Sequence, residues 1–336
     1  MTAGAVVAAL TESRHLGTAV AREAGLPLLR VEERGFEDGE FKLRALESVR
    51  GRTVFVLQSL AGTASAPVCE RLIRLLFLLQ GLSDGGASAT IALLPYLAFA
   101  RKERRTQPRD PVTSRYLAQL LEAAHIACVI AVDAHNPAAL DNAFRVPTVH
   151  LTALPMMVEH FAAGSAVRPL TVVSPDTGGI KRAQIFQERL AAVTGHAIDL
   201  AFITKRRAQD VVSGGRLAGE VAGRAVIVLD DLCATGGTLI RAAHACRRAG
   251  AESVRVAVTH VPLPGGLDAL VEAAEIDGIV VTDSVGRELP MSSAAAGSSK
   301  LVTLPIAPLL GETVRRLSAD EPLAPLLARW PPQAQE

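Results

Sequence analysis

The chain is 336 residues long, carries 35 basic and 34 acidic side chains for a net charge of +1, and is 49% hydrophobic. That length suffices for two domains with full cores, and the near-neutral balance leaves no electrostatic footprint for nucleic acid. Cys69, Cys128, Cys233 and Cys246 show no CxxC or Cys/His spacing, which argues against disulfides or a zinc site and fits small apolar residues in a reducing cytoplasm.

Residues 1–10 hold a short apolar run without a basic leader, so no signal peptide is expected. The apolar stretch 72–82 is too short for a bilayer and is interrupted by Arg71 and Arg74, so it reads as a buried helix, with no membrane partner. Elsewhere short apolar runs alternate with helical periods, the pattern of an α/β fold with parallel sheets flanked by helices. Strands are predicted at 6–10, 28–31, 53–57, 89–94 and 129–132, with helices near 15–24, 69–81 and 114–124. Further strands are predicted at 170–173, 198–203, 225–229, 254–259 and 279–282, with helices near 155–163, 180–193 and 239–249. Cys128 to His135 ends in an acid much as Ala225 to Asp231 does, which hints at a duplicated unit. Pro147 and Pro155 bracket a connection, dividing the chain into 1–148, 149–316 and a Pro- and Ala-rich tail, 317–336, expected to fray.

The most informative stretch runs from Val226 to Thr238. Four branched apolar residues, Asp230-Asp231, Thr235-Gly236-Gly237-Thr238 and then a helical pattern describe a buried strand, a tight turn and a helix N-terminus. Backbone N–H groups so presented suit a phosphate. The two carboxylates would repel that phosphate and instead suit the vicinal hydroxyls of a sugar, or a metal bridging to one. Together they point to a sugar phosphate. Ser174-Pro175-Asp176-Thr177-Gly178-Gly179 repeats the nest, with a carboxylate able to hold Mg²⁺ between phosphate oxygens.

Other segments gain meaning beside these. Phe36-Glu37-Asp38-Gly39-Glu40 is a hairpin turn. Arg101, Lys102, Arg104, Arg105 and Arg109 place five cations in nine residues after the 89–94 strand, an exposed loop over an anionic ligand at a strand's carboxyl end. That loop, 101–111, is expected to stay mobile until an anion arrives. Asp133-Ala134-His135 follows another strand. Lys205-Arg206-Arg207 ends the 198–203 strand, where cations can neutralise a phosphoryl group in transfer. No Gly-x-x-x-x-Gly-Lys-Ser/Thr loop occurs.

In this order the segments resemble the ribose-phosphate pyrophosphokinases, the phosphoribosyl diphosphate (PRPP) synthetases, from about Val6 to Arg316. The quoted runs are joined by Glu47-Ser48-Val49-Arg50-Gly51 and Pro95-Tyr96. The resemblance implies two tandem type I phosphoribosyltransferase-like domains and diphosphoryl transfer from Mg-ATP to ribose 5-phosphate. It implies that Phe36, Asp38 and Glu40 hold adenine, across a subunit interface of a homo-oligomer, while Arg101, Lys102 and His135 meet the rest of ATP. His135 and Asp176 would organise Mg²⁺, and Asp176, Thr177, Gly178 and Gly179 the diphosphate. Asp230 and Asp231 would bind the ribose hydroxyls, Thr235, Gly236, Gly237 and Thr238 the 5-phosphate, and Lys205, Arg207 and Arg101 would be catalytic. Three positions depart from the family's pattern: Ala234 stands where an acid is common, 136–144 lacks a Gln-rich, Gly-Phe-Phe run, and Lys102 replaces Gln. Two alternatives stand beside this reading: a nucleobase phosphoribosyltransferase, which the doubled length and the Arg101 loop disfavour, and a non-catalytic regulatory relative, which the retained cations disfavour.

Overall fold

A computed structural model of the chain describes residues 3–63, 66–164, 169–208, 211–286 and 297–327, with the backbone only for 3, 205–208, 211–215, 264 and 327. The chain divides into two compact units. The first holds β1 (Ala3–Ala9), α1 (Arg14–Ala24), β2 (Val31–Gly35), β3 (Phe41–Ala45), β4 (Arg52–Leu57), α2 (Val68–Asp84), β5 (Ala89–Leu94), α3 (Thr113–Ala123), β6 (Cys128–Val132), α4 (Pro137–Ala143) and β7 (Thr148–Leu151). Its sheet has the order β1-β4-β5-β6-β7 and is parallel throughout. Val54, Val56, Leu94 and Val129 are fully buried, as strands covered on both faces require. β2 and β3 form a separate antiparallel hairpin. It docks on α2 through Phe41, whose ring lies 5.4 Å from Phe77 and 4.5 Å from the Arg74 guanidinium.

The second unit holds α5 (Leu154–Ala163), β8 (Leu170–Ser174), a short 3-10 turn (Thr177–Gly179), α6 (Ile180–Thr194), β9 (Ile198–Ala208), β10 (Val211–Ala218), β11 (Ala225–Leu232), α7 (Gly237–Arg248), β12 (Ser253–His260), α8 (Pro264–Glu272), β13 (Gly278–Thr282) and β14 (Leu301–Leu304). The strand order is β10-β9-β8-β11-β12-β13-β14, parallel except for the β9–β10 hairpin. Val172, Val173, Val226, Ile227, Val228 and Leu229 fill the centre of this sheet. Burying each such side chain stabilises by about 1.5–3 kcal/mol.

Several elements differ from the sequence reading. Leu28 makes a single bridge to Val7 and β2 begins only at Val31, so 28–31 is not a strand. β9 runs on to Ala208 because β10, unforeseen, pairs with it. α4, β7, α8 and β14 were also not predicted. The domain division differs too. α9 (Ala307–Ser318) belongs to the first unit, with 284–286 and 305–327, although it lies in the stretch 149–316 read as one domain. The cause is close packing on α1: a Cβ at Gly311 would sit 2.3 Å from Glu23 Cβ, so only glycine permits this approach. The tail beyond 327 lies outside the described residues. Cys69 is exposed, unlike the buried Cys233 and Cys246. Among the described residues no helix is long and apolar enough to cross a membrane.

Candidate active site

The second sheet reverses its strand order between β8 and β11: β9 lies on one side of β8, β12 on the far side of β11. The crevice outside the carboxyl ends at such a point is where open α/β sheets take ligands. The 176–179 turn leaves β8 there and the 230–238 segment leaves β11.

Asp230 and Asp231 are the last acids within β11, which continues to Leu232 rather than ending before them. Arg182, from the first turn of α6, places one guanidinium nitrogen 2.8 Å from Asp231 Oδ1 and 3.6 Å from Asp230 Oδ1. Asp231 is the more buried, its side chain 5% exposed against 19% for Asp230. Burial first, and the charge of Asp231 second, push the Asp230 carboxyl well above the usual carboxylate range, with Arg182 opposing. The backbone N–H of Asp231 donates to Asp230 Oδ1 at 2.9 Å.

The 176–179 turn is already capped. Gly178 N and Gly179 N donate to Asp176 Oδ1 at 2.9 and 3.2 Å, so the nest expected to face a diphosphate here faces its own aspartate. Gly179 packs on Ser174, whose Oγ lies 2.7 Å from where a Cβ would be. In the other turn Gly236 is left-handed at φ +79°, and a Cβ there would also lie 3.1 Å from Gly266 O. This opens α7 with Gly237 and Thr238 in its first turn. Arg241 reaches back over that turn, 3.2 Å from Thr238 Oγ1, exposed and without an ion pair among the described residues.

In the first unit, Phe36 is 43% exposed on the hairpin tip, with the Arg34 guanidinium 5.3 Å from its ring centroid. Asp38 Oδ1 accepts the N–H of Glu40 at 3.0 Å, and Phe36 N donates to Glu40 O at 2.8 Å, closing the turn. The basic loop is not held open by self-repulsion. Asp110 Oδ2 accepts from Lys102 Nζ at 2.5 Å, Thr106 Oγ1 at 2.7 Å, and the N–H groups of Thr106 and Gln107 at 2.9 Å each. Lys102 foremost holds the Asp110 carboxyl well below the usual range. Arg101, Arg104 and Arg109 remain exposed. His135 is exposed beyond β6, two residues after Asp133, which is buried at φ +38°. Leu97 and Ala100, just before the basic loop, and Ala134 and Asn136, on either side of His135, line one small void.

Lys205 and Arg207 lie within β9, opposite β10, rather than past a strand end; Arg207 is in register with Val212. Their side chains, and so their catalytic assignment, lie outside the described residues.

Arg182 and Arg241 were missed by the sequence reading. Each follows a Gly-Gly turn by three or four residues, and Lys181-Arg182 sets two cations where helix dipoles favour acids. That inversion was the available signal.

Residues 5–124 match the model for the N-terminal domain of ribose phosphate pyrophosphokinase, and residues 157–282 the phosphoribosyl transferase domain. The chain is 36% identical to a ribose-phosphate pyrophosphokinase of Hyphomonas neptunium over 318 residues, 94% of this chain and 97% of that one. It is 34% identical to one from Bacillus caldolyticus over 310 residues, 92% and 93% of the two chains. The chain belongs to the ribose-phosphate pyrophosphokinase family. The solved phosphoribosylpyrophosphate synthetase of Mycobacterium smegmatis superposes with a TM-score of 0.83 at 30% identity, covering 94% of this chain and 99% of that one.

Membership makes a divalent metal relevant. Among the described residues no three His, Cys, Asp or Glu side chains cluster to hold one. Mg²⁺ is commonly bound by one or two carboxylates plus substrate phosphates, without an all-protein cage. Asp176, beside a phosphate-type turn in this pyrophosphokinase, fits that donor set; an imidazole such as His135 fits it less well.

Proposed function

We propose that the chain transfers the diphosphoryl group of Mg-ATP to the anomeric hydroxyl of ribose 5-phosphate, forming phosphoribosyl diphosphate and AMP. The observation that carries this is the switch-point crevice, where a carboxylate pair and two Gly-rich turns leave neighbouring strands. Full-length similarity to pyrophosphokinases supports it.

The anomeric oxygen attacks the β-phosphorus, the bond from that phosphorus to the oxygen bridging the α-phosphate breaks, and AMP leaves with that oxygen. The anomeric hydroxyl loses its proton to solvent. Such a reaction needs positioning and charge neutralisation more than covalent help. Asp230 and Asp231 accept hydrogen bonds from the ribose hydroxyls. The N–H groups of 235–238 take the 5-phosphate, with Arg241 above them. The N–H groups of Gly178 and Gly179 take the diphosphate in place of Asp176 Oδ1. Mg²⁺, held with Asp176, would draw negative charge from the phosphate oxygens. Phe36, Asp38 and Glu40 hold adenine, and Arg101 and Lys102 meet the ATP phosphates. Lys205 and Arg207 neutralise the group in transit.

An adenine stacked on one exposed ring needs a second wall, which supports a homo-oligomer with the adenine site at a subunit interface. Four free cysteines support placement in the cytoplasm.

The test incubates purified protein with ribose 5-phosphate, ATP and Mg²⁺ and measures AMP and phosphoribosyl diphosphate, expected in equal amounts. Consumption of phosphoribosyl diphosphate with a nucleobase instead identifies a phosphoribosyltransferase. Nucleotide binding without turnover identifies a regulatory subunit. Either result overturns the proposal.

A further inference from the structure

We propose that Arg182 is a positioning residue for the sugar site, a clamp that holds Asp230 and Asp231 side by side and ties them to the 176–179 turn. This rests on the reading of that carboxylate pair as the ribose-binding group. Neighbouring residues on a strand point to opposite faces. Yet a single Arg182 nitrogen lies within 2.8 Å of Asp231 Oδ1 and 3.6 Å of Asp230 Oδ1, so the two carboxylates converge on one cation. All three side chains are largely withdrawn from water, at 5%, 19% and 18% exposure for Asp231, Asp230 and Arg182. Like charges in such a setting repel strongly unless a cation lies between them.

Arg182 sits where it does little for its own helix. It is the third residue of α6, next to Lys181, and the first turn holds no acid. Cations there oppose the helix dipole. The position makes sense through its partners. α6 starts directly after the turn that Asp176 caps, so the same backbone that shapes the 176–179 nest aims Arg182 at β11. A carboxylate has about four lone-pair sites. Arg182 fixes one of these on Asp231, at Oδ1, and with it the direction the carboxylate faces. The clamp thus sets the orientation in which the diol is received, without touching the reacting atoms.

Arg182→Gln, Arg182→Lys, Asp231→Asn and the double variant Arg182→Gln/Asp231→Asn test this in the full chain. Ribose 5-phosphate binding is followed by titration calorimetry and steady-state kinetics, with thermal melts to check folding. Arg182→Gln is expected to weaken ribose 5-phosphate binding and raise its KM about tenfold or more, with the KM for ATP within about threefold. Arg182→Lys is expected to recover most of that loss. The double variant is expected to bind within about threefold of Asp231→Asn alone, since both changes remove one interaction. Equal rises in both KM values, a Lys variant no better than Gln, or additive losses overturn the clamp while leaving the proposed reaction intact. Wild-type protein that neither binds ribose 5-phosphate nor releases AMP overturns both.

Discussion

The two adjacent aspartates should respond to the same substitution in opposite directions. Asp230 titrates well above its ordinary value, pushed there by burial and then by Asp231. An acid raised on folding binds more protons in the folded state, so stability is lost as pH rises from about 4 through the folded value, and the loss is complete above it. Asp230→Asn removes that cost. Asp231, in contrast, holds Arg182 at 2.8 Å in a nearly water-free position. A hydrogen bond to a charged group contributes about 1.5–3 kcal/mol. Asn keeps an acceptor and Asp230 stands 3.6 Å from the same nitrogen, so the net loss is smaller. We set it at about 1–2 kcal/mol, or roughly 2–8 °C in Tm for a unit of this size. Near neutral pH, thermal melts should therefore show Asp230→Asn above wild type and Asp231→Asn below it, with the gain of Asp230→Asn vanishing toward about pH 4. Both variants should lose ribose 5-phosphate affinity. Equal downward shifts at both pH values would show that Asp230 carries no repulsive cost, and the electrostatic account of the site would be wrong.

Asp110→Asn should speed protease cleavage within 101–111 at neutral pH, where the ionised carboxylate that gathers Lys102, Thr106 and Gln107 is present; wild type should approach the variant only as pH falls through the acid range. Lys205→Ala and Arg207→Ala should each lower kcat about a hundredfold or more with nucleotide affinity held within several-fold, whereas Arg206→Ala, one step out of phase on β9, should be nearly silent in steady-state and binding assays. Arg241→Ala should raise the KM for ribose 5-phosphate about tenfold and leave that for ATP unchanged, because its guanidinium lies over the Thr238 turn alone. Gly311→Ala should cost about 1–3 kcal/mol in denaturant unfolding, since its Cβ would meet Glu23 Cβ at 2.3 Å.

The chain's own order was enough for its central strands. Val226 to Leu229 and Leu170 to Val173, with Thr171 their one polar member, are runs that a doubly covered strand accommodates, and the Gly pairs after them have few conformations open besides a turn into a helix. Legible too were the acids and cations of the quoted motifs, because their spacing is local. The elements that went unseen are those whose stability comes from distant partners. Edge strands β7 and β14 are four residues each and mostly half-buried or exposed, so they carry little period of their own. β10 exists through its pairing with β9, and that pairing moved Lys205 and Arg207 from a strand end into a hairpin. α9 has an amphipathic face, but which unit it joins is set by the close approach of Gly311 to α1, nearly three hundred residues earlier in the chain. The site shows the same division. Asp230 and Asp231 were visible as a pair, while the burial of one, the raised proton affinity of the other and the arginine between them depend on β8 and β11 lying side by side. Sequence spacing fixes what a strand end offers; the order of strands in the sheet decides which charges meet there, because Coulomb forces between buried groups act across space and not along the chain.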